Sequence, residues 1–206
     1  MTDFFALLKE QRRPWLEPDS LKAKFLAFST EVHPDRTHQQ SQEVREKTTL
    51  CYTEFNSAYN CLRDPKDRLL HLLELESGAK PKAVQQVPDG TMDLFLEVAQ
   101  LCRCVDNFLA ESAKVTSPLL KVQMFERSQE WTEQLNALQQ KTNSKREHFI
   151  EILKALNADW DAAPPVGSAS RADALPLDRL EQIYRSFSYV ARWTGQVQER
   201  IVQLSL

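Results

Sequence analysis

Residues 21–62 read LKAKFLAFSTEVHPDRTHQQSQEVREKTTLCYTEFNSAYNCL, and the spacing of their apolar residues predicts two helices. Before His33-Pro34-Asp35 the apolar positions step by four, three and four, which places them on one helical face. After it a second stripe has the same periodicity. The first stripe holds Leu21, Phe25, Phe28 and Val32, and the second holds Val44, Thr48, Cys51, Phe55, Ala58 and Leu62.

Pro34 separates the two helices, because proline donates no backbone hydrogen bond and pushes the preceding residue out of the α region. The first helix should therefore end near Val32. Thr37 is a candidate N-cap for the second helix, with Gln40 completing a capping box three residues later. Two helices with one apolar stripe each bury those stripes best as an antiparallel hairpin, with His33, Pro34 and Asp35 at its tip.

A helical hairpin with His-Pro-Asp at its turn resembles the J domain of DnaJ-type co-chaperones. The residues that follow narrow the resemblance to the HscB branch, which serves iron-sulfur cluster assembly. The matching positions are Asn56, Ala58-Tyr59, Leu62, Asp64-Pro65, Arg68-Leu69-Leu70 and Leu72-Leu73. The resemblance covers residues 3–76 by motif and the remainder by layout.

The resemblance implies that the tip docks on a DnaK-type, HscA-like chaperone and promotes its ATP hydrolysis. By position, the resemblance implies that Asp35 accepts a charge-assisted hydrogen bond from the chaperone, that Pro34 fixes the loop, and that His33 orients the loop or contacts the chaperone. Arg36, Lys22 and Lys24 are the basic residues nearby. Because so few cations are present, we expect weak electrostatic steering towards the chaperone.

Helical patterns continue to the end of the chain, so the predicted fold is all-α. Asp64-Pro65 starts a helix that ends near Gly78, and a linker rich in proline and glycine follows. Beyond it, apolar spacing predicts three helices, over Met92–Ala110, Ser117 to about Leu156, and Leu177–Leu204. Residues 158–175 are predicted to be a mobile loop. The domains are then a J domain (1–78) with short helices flanking its hairpin, a linker (79–91) and a client-binding three-helix bundle (92–206).

The HscB resemblance implies that the first helix of the bundle binds the iron-sulfur scaffold protein. Phe95, Leu96 and Ala99 fall on the apolar contact positions, whereas Gln100 and Arg103 stand where relatives carry acidic residues. An alternative from apolar patterning alone is that Phe95 and Leu96 belong to the bundle core.

Composition argues against other classes of function. The net charge of −3 does not favour nucleic acid or an anionic membrane, and no apolar stretch is long enough to span a bilayer. The N-terminus lacks the apolar core of a signal peptide, so we expect a cytoplasmic protein. Glycine-rich phosphate loops, nucleophile elbows and helical His-x-x-x-His pairs are missing, which argues against an enzyme and a cofactor.

The sequence therefore predicts a co-chaperone that stimulates a DnaK-type ATPase and delivers the iron-sulfur scaffold to it. Three alternatives remain open: a J-domain co-chaperone for another client, a J-like interaction module without ATPase stimulation, and a metal or redox protein. The last would use Cys51, Cys61, Cys102 and Cys104, whose spacing is unlike that of metal ligands.

Overall fold

The computed structural model describes residues 2–32, 40–81, 87–88 and 90–205. These residues form eight α-helices and no β-strand, which confirms the all-α fold class. The helices are α1 (Phe4–Leu7), α2 (Pro18–Glu31), α3 (Gln42–Arg63), α4 (Pro65–Ser77), α5 (Met92–Ser112), α6 (Pro118–Ala162), α7 (Arg171–Ala174) and α8 (Leu177–Leu204).

Local sequence signals set several of these bounds. Pro18, Pro65 and Pro118 each occupy the first position of a helix, where the missing N–H would be unsatisfied anyway. Asp64 caps α4 by accepting a hydrogen bond from the N–H of Asp67 (3.0 Å). Gly78 ends the same helix in the left-handed conformation, with φ of +74°. These five signals are readable without any tertiary information.

The chain forms two compact units. Unit 1 consists of Met1–Ala83 and Ile152–Tyr184, and unit 2 of Val84–Glu151 and Arg185–Leu206. Both α6 and α8 contribute residues to each unit. The predicted domains 1–78 and 92–206 concern which segments fold on their own, and this division stays a prediction.

In unit 1, α2 and α3 form the predicted antiparallel hairpin. The ring of Phe25 stacks on that of Tyr59 (4.2 Å between centroids), and Phe28 stacks on Phe55. Nearer the turn, the Ser29 hydroxyl donates to the Tyr52 hydroxyl (3.3 Å). Residue numbers rise on one helix as they fall on the other, so the two run in opposite directions.

The hairpin differs from expectation at the start of α3. This helix begins at Gln42 after the N-cap position Ser41, later than the predicted start at Thr37, which itself lies outside the described residues. Val44 is 39% exposed and Cys51 is only half-buried, so the apolar stripe is buried from Phe55 onward.

Residues 158–175 also differ from the predicted mobile loop. Helix α6 continues through Ala162 and buries Trp160, while Arg171 and Leu175 are buried further along. The carboxylate of Glu76 receives two hydrogen bonds from the Arg171 guanidinium (both 2.9 Å). This partner is 95 positions away, so local composition gave no sign of it.

Unit 2 contains a three-helix bundle built from α5, the first part of α6 and the last part of α8. The pairs Phe108–Trp131 and Glu97–Lys141 run antiparallel between α5 and α6. The pairs Phe149–Phe187 and Ser128–Leu204 do the same between α6 and α8. Helix α5 is therefore parallel to α8, and α6 is antiparallel to both.

Candidate functional site

The connection between α2 and α3 carries the predicted chaperone contact. His33, Pro34, Asp35 and Arg36 lie outside the described residues, so their roles stay predictions. The hairpin on either side is described: α2 ends at Glu31, where the N–H of Val32 donates to the carbonyl of Phe28 (3.0 Å). The stacked aromatic pairs between α2 and α3 thus fix the register of the two helices on either side of the motif.

The two lysines predicted beside the motif differ in their surroundings. Lys22 is exposed, and the described part of the chain provides no ion-pair partner for it. The Nζ of Lys24 lies 2.8 Å from a carboxylate oxygen of Glu10 and donates to the carbonyl of Lys9 (3.2 Å). Much of the charge of Lys24 is therefore neutralised within the molecule, which leaves Lys22 as the more available cation on α2.

A buried arginine braces the base of the hairpin. Arg68, one of the residues that carried the J-domain resemblance, donates to the carbonyls of Pro14 (2.9 Å) and Leu62 (2.7 Å) and lies over the ring of Trp15. Burial lowers the pKa of Arg68 to about 10, so the guanidinium stays protonated at neutral pH. Its positive charge holds the end of α3, the start of α4 and residues 14–15 together.

His71 has a structural role that the sequence did not reveal. It is 6% exposed and stacks against Phe5. Its Nε2 accepts a hydrogen bond from the N–H of Phe4 (3.1 Å), which requires that nitrogen to be unprotonated. Burial lowers the pKa of His71, in agreement with a neutral ring. The interaction ties α1 to α4.

The predicted client-binding helix α5 buries one face and exposes the opposite one. Its buried residues are Val98, Cys102, Val105 and Phe108. Of the five predicted contact residues, Leu96 is 56% exposed, and Gln100 and Arg103 are also exposed. Phe95 and Ala99 are half-buried, and the ring of Phe95 leans on Trp193 of α8 (6.1 Å between centroids). Leu96 is thus a surface residue, while Phe95 lies at the edge of the core.

Sequence reasoning missed a further residue on this face. Met92 is 49% exposed and precedes Leu96 by four positions, so the two side chains are neighbours on one side of the helix. The spacing of four positions in the sequence already indicated that Met92 and Leu96 share one face. With Ala99 and Arg103 the face continues along three turns of α5. We call Met92, Leu96, Ala99, Gln100 and Arg103 the α5 strip.

Some of the charged side chains around the α5 strip form ion pairs and one does not. The carboxylate of Glu97 is held by Lys141 of α6, and that of Asp106 lies 2.7 Å from an Nη of Arg200 of α8. Arg103, in contrast, has no ion pair with any residue that the structure describes. The strip therefore presents apolar side chains with a free cation at one end.

The four cysteines do not converge on a metal site. None of them forms a disulfide, and the described residues hold no group of three or more His, Cys, Asp or Glu side chains suited to a metal ion. Burial raises the pKa of the Cys61 thiol to about 11 and also raises the pKa of Cys102. Both sulfurs are therefore protonated at neutral pH and weakly nucleophilic.

Comparison with known proteins matches this architecture to one kind of co-chaperone. The structure of the chaperone HscB from Vibrio cholerae superposes with a TM-score of 0.64, over 98% of this chain and 99% of that one, at 18% identity. The structure of the human co-chaperone protein HscB gives a TM-score of 0.61 over 97% and 82%, at 17% identity. This chain has the HscB fold.

The sequence match to a curated protein is shorter. A co-chaperone protein HscB homologue from Chromobacterium violaceum is 33% identical over 73 residues, which is 35% of this chain. The match spans 42% of that relative's length. No family model matches the sequence. In the described residues, no helix has the length and apolar character needed to cross a membrane.

Proposed function

We propose that this protein is a co-chaperone that stimulates ATP hydrolysis by a DnaK-type, HscA-like chaperone and delivers an iron-sulfur scaffold protein to it. The observation that carries the proposal is the HscB fold along the chain, with His33-Pro34-Asp35 between the two helices of its hairpin. Chaperone and client would bind different surfaces, namely the His-Pro-Asp segment with Lys22, and the α5 strip with Phe95.

Two binding surfaces on one chain suffice for the proposed mechanism, and no catalytic group is needed. If the client and the chaperone bind the same co-chaperone molecule, each raises the local concentration of the other. If the held client also contacts the chaperone, each partner binds more tightly when the other is present, which is a coupling free energy between two sites. Chaperone hydrolysis would in this way depend on the arrival of client.

The α5 strip indicates the chemistry of the client surface. Met92 and Leu96 would pack against an apolar patch, and Arg103 would pair with a carboxylate beside it. A client with a basic residue at that point would be disfavoured, because two like charges would be brought together. The proposed scaffold therefore carries an acidic residue next to its apolar contact.

The chaperone part of the proposal is tested by single-turnover ATP hydrolysis. The host's candidate DnaK-type chaperones are each mixed with the wild-type protein or with Asp35→Asn, which keeps the size of the side chain and removes its charge. We expect stimulation by the wild type and none by the variant. Stimulation that survives in Asp35→Asn would contradict the role given to the His-Pro-Asp segment.

The client part is tested by binding of the scaffold protein, followed by calorimetry, to Leu96→Asp and to Val166→Asp. These two residues are equally exposed, at 56% each, so the control matches the substitution in both chemistry and exposure. We expect Leu96→Asp to weaken binding about tenfold or more and Val166→Asp to have no effect. Equal binding by both variants would exclude the α5 strip as the contact surface.

A charge reversal at Arg103 distinguishes an acidic client surface, as proposed for the scaffold, from a basic one. With Arg103→Glu, binding of an acidic client should weaken, and the loss should be larger at low salt than at high salt. Tighter binding by Arg103→Glu would instead indicate a basic client surface and would contradict the acidic complement proposed above.

An interaction module that has lost ATPase stimulation is a second candidate. The observation that favours it is the ion pair between Lys24 and Glu10, which reduces the positive charge available on α2 for an acidic chaperone surface. Scaffold binding that depends on Leu96, without stimulation of any candidate chaperone, would support this second function over the first.

A further inference from the structure

The first two turns of α6 expose an apolar face that is distinct from the α5 strip. Leu119 is 72% exposed, Val122 59% and Phe125 65%. The opposite side of the helix is buried from Ser128 onward. The three exposed residues are spaced by three positions, so they form a ridge on the outside of unit 2. We call Leu119, Val122 and Phe125 the α6 ridge.

A groove in unit 2 lies directly beside this ridge. It has a volume of about 270 Å³ and is formed by the end of α5, the start of α6 and the end of α8. Its apolar walls come from Phe108, Leu109, Val115, Met124, Phe125 and Leu204. Phe125 belongs to both features, so the ridge and the groove form one continuous surface.

Charged side chains of both signs lie at this surface. Lys121 lines the groove, the guanidinium of Arg127 lies over the ring of Phe108, and exposed Glu126 follows Phe125 in the sequence. A strongly acidic or basic rim would repel a second copy of the same surface. A rim that carries both signs allows opposite charges to face each other when two copies meet.

The geometry points to a second copy of this chain as the occupant, in a two-fold symmetric dimer. In such a dimer the same patch serves both subunits, so the patch must contain both the part that inserts and the part that receives. The α6 ridge of one copy would fill the groove of the other, and the groove would receive the ridge in return. This inference is independent of the proposed function, because it uses neither the His-Pro-Asp segment nor the α5 strip.

The exposed area is sufficient for association. The three apolar side chains of the α6 ridge, exposed by 59% to 72%, present roughly 350–400 Å² of surface, which is as large as the main apolar patch of many monomeric proteins. Two copies together with part of the rim would bury on the order of 1,000 Å², the lower bound for a specific interface. We therefore expect a weak, concentration-dependent dimer.

The test is sedimentation velocity of the full chain from about 5 to 200 µM, which brackets micromolar dissociation constants. The wild type should move from a monomer towards twice the 23.8 kDa of one chain as its concentration rises. The double variant Leu119→Glu/Val122→Glu should dissociate roughly tenfold or more easily, because it places four carboxylates at the interface. Both positions are exposed, and an acidic side chain is favourable at Leu119 in the first turn of the helix, so the variant should fold.

Leu50→Glu is the matched control, because Leu50 is 64% exposed and lies on α3, in unit 1. It should dimerise like the wild type. A wild-type protein that stays monomeric over the whole range would overturn the inference. So would a dimer that survives the double substitution, or one that Leu50→Glu weakens equally.

Discussion

Glu76→Gln should destabilise unit 1 far more than its small change in size suggests. The carboxylate of Glu76 receives two parallel hydrogen bonds from Arg171, each 2.9 Å long, and both side chains are less than a tenth exposed. A third contact, to Arg12 at 3.8 Å, adds to the positive charge around it. The substitution removes the negative charge and leaves the guanidinium of Arg171 buried, with the carbonyl of Pro164 as an acceptor at 2.6 Å.

The magnitude follows from the cost of an uncompensated buried charge. Removing one partner of a buried ion pair costs about 3–5 kcal/mol. Because glutamine keeps one acceptor oxygen for Arg171, we expect the lower end of that range, about 3 kcal/mol. The surface pair of Arg13 and Asp161, at 3.0 Å, is the control, since Asp161 is more than half exposed. Asp161→Asn should cost about 0–1 kcal/mol.

The assay combines urea unfolding of the full chain, followed by circular dichroism, with amide hydrogen exchange resolved along the sequence. Glu76→Gln should lower the midpoint of unfolding and increase exchange over residues 163–175, the segment that Arg171 anchors. A loss below about 1 kcal/mol, equal to that of Asp161→Asn, would refute the reasoning. Unchanged exchange over residues 163–175 would refute it as well, because the pair would then not hold that segment.

Three further predictions concern single residues. Because burial lowers the pKa of His71 from its ordinary 6.5, the unfolded chain binds more protons, and the stability that neutral His71 contributes should be lost as the pH falls below about 6.5. Urea midpoints between about pH 5 and 7 should vary less in His71→Gln than in the wild type. The control His148→Gln, at an exposed site, should retain the wild-type dependence of the midpoint on pH. An equal dependence in all three proteins would contradict this. Leu138→Ala should lower the free energy of unfolding in urea by about 2–5 kcal/mol, because Leu138 is 1% exposed. Leu50→Ala, at an exposed site, should change it by less than about 0.5 kcal/mol, and similar values for both variants would show that Leu138 is not in the bundle core. Cys61, with a pKa of about 11, should react with iodoacetamide at pH 8 roughly a hundredfold more slowly than an ordinary thiol. Peptide mass spectrometry measures this rate, and a rate like that of an ordinary thiol would refute the burial of Cys61.

Much of the helical framework could be predicted because its signals are local. Proline at a first helical position, the Asp64 cap and Gly78 act within one turn, so they set helix ends whatever packs nearby. Periodic apolar residues gave the closing helix as Leu177–Leu204, the same bounds that the structure has. The hairpin followed from two stripes of similar length joined by a short connection.

The errors occur where the partner is distant in the sequence. Residues 158–175 contain two prolines, a glycine and several small polar residues, which is typical of a loop. Contacts with residues far away in the sequence hold them in place: Asn157, directly before this segment, exchanges two hydrogen bonds with the backbone of Trp15 (2.9 and 3.0 Å), and within it Arg171 pairs with Glu76. The role of His71 could not be predicted for the same reason, because its partner is the backbone of Phe4, 67 positions away.

The sequence by itself determined the all-α class, the helical hairpin and the position of His33-Pro34-Asp35, because helical periodicity and proline chemistry act over a few residues. Tertiary structure decided how Phe95 of α5 is covered. On a helix with 3.6 residues per turn, Leu96 lies on the side opposite the buried residues Val98, Cys102 and Val105, whereas Phe95 lies at the edge of their face. The ring of Trp193 packs on Phe95 from α8, and local periodicity gives no sign of this partner because it is 98 positions away, while Leu96 is 56% exposed.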